Sequence, residues 1–122
     1  MSTLVRIGLL ELAFGALMGW PVAAGVAAPQ LLQRLGVRSP RRLLQTHLDF
    51  VIMGVILIAV GLAVPDLPTW IAATIVVGTL LNPLLFLPLA FREQWADTVV
   101  YRSVSVGSFL ATSVGLTAAA FS

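Results

Sequence analysis

Four long apolar runs alternate with short polar breaks along the chain, and that alternation sets the architecture. The runs cover about 4–28, 43–64, 69–91 and 98–121. Each is long enough to cross a hydrocarbon core about 30 Å thick, for which roughly 20 helical residues suffice. Almost no polar face interrupts them, whereas the surface helices of a soluble bundle carry one. The predicted fold is all-α, a single integral membrane domain over 1–122 built as a four-transmembrane-helix bundle. Pro29 ends the first run, and Gln30–Val37 (QLLQRLGV) reads as a short amphipathic continuation along the interface. Pro65-Asp66-Leu67-Pro68 is a tight turn that leaves room only for an antiparallel return. The second run opens with Ser39 as an expected N-cap and Pro40 at the first helical position. Asp97 is the expected N-cap of the fourth.

Composition agrees with this pattern. Of 122 residues, 59% are hydrophobic, and the mean hydropathy is +1.02. The first run does not suit a secretory signal peptide: its basic region is Arg6 alone, Glu11 interrupts it, and no small-residue cleavage site is clear. It reads as a first span. With no cysteine in the chain, disulfide and thiolate chemistry are excluded, and with no lysine so is a lysine Schiff base. All seven basic residues are arginines. Arg34, Arg38, Arg41, Arg42, Arg92 and Arg102 lie in or beside the loops after spans 1 and 3, and only Arg6 lies on the other side. That placement marks topology rather than a nucleic-acid footprint, so no nucleic-acid partner is expected. It puts both loops in the cytoplasm, with both termini and the Pro65–Pro68 turn outside.

Two features bear on helix packing. Ser103, Gly107, Ala111, Gly115 and Ala119 recur every four residues in span 4, with Ser108 and Thr112 beside them. Gly8, Gly15 and Gly19 mark span 1, with Glu11 on nearly the same face. Small residues let helices approach closely in lipid, within one chain or between copies. Few inward polar groups can be shielded by four short helices, which favours an oligomer. Pro21, Pro83 and Pro88 free the carbonyls of Leu17, Thr79 and Leu84 from their usual donors.

Ionisable groups inside a membrane need a reason. Glu11 sits about 10 Å below the outer boundary at about 1.5 Å per residue. It serves either as a proton or cation site or as a neutral acid bonded to another span. His47, the one histidine, and Asp49 lie one to two turns into span 2 and point in different directions. His47 has three open roles: structural group, proton relay, or axial ligand to a haem iron, which needs a single protein nitrogen. Arg41 and Arg42 stand where haem propionates would reach water, and equally where topology requires them. Asn82, near the middle of span 3, either clamps two helices or faces a substrate oxygen. In a symmetric hairpin, positions 47 and 82 differ in depth by roughly 6–8 Å.

Taken together, His47, Gly54 seven residues later, the stretch IAVGLAVP and Asn82 deep in span 3 resemble styrene oxide isomerase and its relatives. The likeness covers the central half of the chain, His47 to about Leu87. It implies a homotrimer holding haem b near subunit interfaces, with His47 as the axial ligand of the iron. It further implies Lewis-acid rearrangement of a small apolar epoxide to an aldehyde, with Asn82 orienting the substrate. Where the family has a catalytic tyrosine this chain has Phe86, and where it has a second asparagine this chain has Met53. Both become pocket-lining groups, and Phe86 has no hydroxyl to hold an oxygen. Haem binding can therefore persist without isomerisation, as in a redox or sensor protein. Two haem-free classes stand beside it: a small transporter using Glu11 or Asp49 as coupling carboxylate, and an accessory subunit whose polar residues join helices.

Overall fold

Proline and glycine punctuate the helices. The computed structural model describes all 122 residues, and every element is helical: α1 (Thr3–Leu17), α2 (Gly19–Ala27), α3 (Pro29–Arg34), α4 (Pro40–Ala63), α5 (Thr69–Phe91), a 3₁₀ turn (Glu93–Asp97) and α6 (Val99–Ala120). The first span is interrupted at Met18, three residues before Pro21, which cannot donate to the Leu17 carbonyl. By contrast, α5 runs unbroken through Pro83 and Pro88. Thr3–Ala27, α4, α5 and α6 are each long and apolar enough to cross a membrane. The chain is an integral membrane four-helix protein.

Helix starts differ in detail from the sequence expectation. Ser39 occupies the N-cap of α4 and Pro40 its first turn, but the Ser39 hydroxyl makes no capping bond. Its backbone N–H and that of Arg38 instead donate to the Ala90 carbonyl, at 3.0 and 2.8 Å. This ties the α3–α4 loop to the end of α5, where Leu32, Val37, Leu43 and Ala90 form a small core. Gly36 makes the turn at φ +90°, a conformation that favours glycine. The cap of α6 is Thr98, whose Oγ1 accepts from the Tyr101 N–H at 3.2 Å. Asp97 is not that cap: it closes the 3₁₀ turn and pairs with Arg102 at 3.5 Å.

The helices pack in a curled row. α1 lies along α4, α4 along α5 and α5 along α6, while α1 and α6 have no extended packing against each other. The α1–α4 seam is a glycine seam. A Cβ on Gly54 would stand 2.7 Å from the Leu12 nitrogen, and one on Gly15 would stand 2.9 Å from the Val51 nitrogen. The two backbones therefore approach as only small residues allow. The small-residue stripe of α6 is divided: Ser108, Gly115 and Ala119 are buried against α5, whereas Ser103 is exposed and Gly107 meets nothing within 4 Å. Leu4, Leu57, Ile71, Ile75 and Ala119 form the core at the end away from the arginines.

Candidate functional site

Two separate features lie on opposite sides of α4. Successive residues of an α-helix are turned by about 100°, so Arg42, Asp49 and Met53 share one face. His47 lies roughly 140° around from Arg42 by the same rotation.

On the first side, His47 is seated against the break between α1 and α2. Its Nδ1 is 2.6 Å from the Gly15 carbonyl oxygen. A carbonyl only accepts, so Nδ1 carries the hydrogen and Nε2 of the neutral ring keeps its lone pair. A Cβ on Gly19 would come within 3.3 Å of the ring's Cε1, so glycine there leaves the imidazole its place. Nε2 has no hydrogen-bond partner in the chain, yet it is not among the buried unpartnered atoms. It is therefore not fully buried. A ring oriented by an Nδ1–H bond to a carbonyl, with Nε2 open, is the arrangement of a metal-ligating histidine. No cluster of three His, Cys, Asp or Glu side chains accompanies it. His47 also lines none of the five principal cavities. Arg41 is exposed and outside the ion pairs.

On the other side, α4, α5 and α6 enclose a wedge of about 260 Å³. It gathers Arg42, Asp49, Met53, Asn82 and Phe86, five of the residues singled out by sequence, and adds Tyr101, Ser105 and Phe109. Arg42 stands at the arginine-rich end, held by Glu93 Oε1 at 3.1 Å and Gln45 Oε1 at 3.0 Å. The Tyr101 hydroxyl donates to the Leu85 carbonyl at 2.5 Å. Asn82 is only 9% exposed and clamps α5 to α6: its Oδ1 accepts from Ser108 Oγ at 2.6 Å, and its Nδ2 donates to Thr112 Oγ1 at 3.3 Å. The Gly78 carbonyl, 3.2 Å from the Ser108 hydroxyl, is the longer, alternative acceptor for its single hydrogen.

Glu11 completes the set. It is 3% exposed, on the α1 face that meets α4, and neither carboxyl oxygen has a hydrogen-bond partner. His47 and Asn82 thus do not share a pocket within one protomer, whereas Asp49, Met53, Asn82 and Phe86 do. Sequence reasoning missed Tyr101, Ser105 and Phe109, whose spacing of four marks one face of span 4. No family model, curated protein or solved structure matches the chain.

Proposed function

We propose that this protein binds haem b in the membrane, with Nε2 of His47 as the axial ligand. The observation that supports the reading is the Nδ1–H bond to Gly15, which fixes the tautomer and leaves Nε2 accessible. The donor set fits, because haem iron requires one imidazole and no cluster of side chains. His47 lines none of the five principal cavities, so a haem held by it would need a second copy to cover it. A homo-oligomer follows, and the trimer is the form implied by the resemblance to styrene oxide isomerase. Arg41, exposed at that end of α4, is one of the unpaired cations that could meet a propionate there. Arg42 is engaged by Glu93 and Gln45 on the cavity side.

When bound, ferric haem supplies a Lewis acid for an epoxide oxygen. The chain's own contribution to isomerisation is the wedge: Met53 and Phe86 give apolar walls, and Asn82 presents an amide already anchored by Ser108 and Thr112. In the isomerase reading, the wedge of one copy opens towards His47 of the next. The arginine distribution supports cytoplasmic loops after spans 1 and 3, with both termini outside.

The test is haem content and turnover of detergent-purified protein from haem-replete cells. One haem per chain, lost in His47→Ala, is the expected result, and haem-free wild-type protein overturns the proposal. Conversion of styrene oxide to phenylacetaldehyde above the His47→Ala background supports the isomerase. Haem-loaded protein without product is the redox or sensor form.

A further inference from the structure

The wedge between α4, α5 and α6 holds a carboxyl group that nothing in the chain answers. Asp49 is half-buried on its wall and takes part in no ion pair. No side chain donates a hydrogen bond to it: the Arg42 guanidinium goes to Glu93 and Gln45, the Tyr101 hydroxyl to Leu85, and the Asn82 amide to Thr112. From α5 no ionisable residue faces it, because Thr69–Phe91 contains none. From α1, Glu11 is buried and without a hydrogen bond on either oxygen, but it does not line the wedge. The wedge therefore carries one carboxyl group, Asp49, and its one arginine is already paired.

An unpaired carboxylate in a membrane interior is costly, and an entering cation relieves that cost. The surroundings decide which cation. Phe86, Phe109 and Met53 form much of the wall, and aromatic faces attract organic ammonium groups. A hard metal ion needs six or more oxygen ligands for calcium, or near-octahedral geometry for magnesium, and no metal-ligating cluster is present. A neutral ligand leaves Asp49 unanswered. At about 260 Å³, the wedge falls below the roughly 300–1,000 Å³ of drug-sized sites, so the ligand is small. Asp49 lies seven residues from Arg42, about 10 Å along the helix, so the site is polarised. Its arginine end is satisfied and its deeper end is acidic.

The geometry points to a binding site for a small organic monocation, an ammonium group on a single ring or short aliphatic body, with Asp49 as counter-charge. This site lies in the wedge that the isomerase reading gives to its substrate, and within one protomer it is on the other side of α4 from His47.

Phenyltrimethylammonium is the suitable probe, because a quaternary nitrogen has no lone pair with which to ligate haem iron. Binding to the detergent-purified full chain is measured by titration calorimetry, against benzyl alcohol as neutral comparison. The expected result is saturable binding at least about tenfold tighter than the alcohol's, lost in Asp49→Asn. Equal affinity for the two probes, no saturable binding of the cation, or undiminished binding in Asp49→Asn overturns the proposal. The comparison of probes on the wild-type chain decides the matter even if Asp49→Asn fails to fold.

Discussion

Replacing Gly54 by alanine should loosen the α1–α4 seam on which the seating of His47 depends. The new Cβ would stand 2.7 Å from the Leu12 nitrogen and 2.9 Å from both the Leu12 Cα and the Gly8 carbonyl oxygen. Comfortable carbon contacts begin near 3.5 Å, so α1 must retreat by something on the order of 1 Å. The atoms in the way are backbone, which cannot rotate aside as a side chain can. Overpacking of this kind costs about 1–3 kcal/mol, and the gain in helix propensity from glycine to alanine returns about 0.5–1 kcal/mol. The net loss is about 0.5–2 kcal/mol, a fall of roughly 2- to 30-fold in the folding equilibrium. Gly107→Ala is the internal control, because nothing lies within 4 Å of its Cβ and only the propensity gain remains. Titration of both variants with a denaturing detergent, followed by tryptophan fluorescence, measures the difference. Equal stability of Gly54→Ala and Gly107→Ala would refute the seam as described.

Other outcomes follow from the same contacts. Ser108→Ala removes the donor 2.6 Å from Asn82 Oδ1 and should cost about 0.6 and at most about 1.7 kcal/mol, the range for hydrogen bonds between membrane helices. A double-mutant cycle with Asn82→Ala isolates the coupling, and a coupling of zero contradicts the clamp. Gly36→Ala forces an L side chain into φ +90° and should destabilise the arginine-rich end by about 1–2 kcal/mol. Protease sensitivity of the α3–α4 loop reports it. Glu93→Gln breaks a pair whose glutamate is more than half exposed, so the loss should stay below about 1 kcal/mol and shrink in high salt.

Hydropathy and punctuation carried most of the fold. The spans were legible because membrane-crossing runs are long and nearly free of charge, and α5 begins and ends where the pattern predicts. The α6 start was not, because aspartate and threonine both cap well. The choice of Thr98 depends on the 3₁₀ turn that consumes Asp97. Pro21 announced the lost hydrogen bond, but its outcome, a break at Met18, differs from the continuous path of α5 through Pro83. At the site, Asp49 with Met53 and Asn82 with Phe86 each lie four residues apart and so mark faces of α4 and α5. Which faces meet depends on the rotation of each helix about its axis. Gly8, Gly15, Gly54 and Gly61 fix that rotation for α1 and α4 only once both partners are known. For the same reason the depth of positions 47 and 82 did not decide whether they share a pocket, and the rotation of α4 separates them.

Ligand exchange at position 47 tests the haem reading most directly. His47→Gly leaves space where the imidazole stood, and imidazole added to that variant can occupy it. The account predicts a Soret band in the wild-type protein, its loss in His47→Gly, and its return when imidazole and haem are supplied together. A wild-type protein without a Soret band, or an unchanged band in His47→Gly, would contradict it.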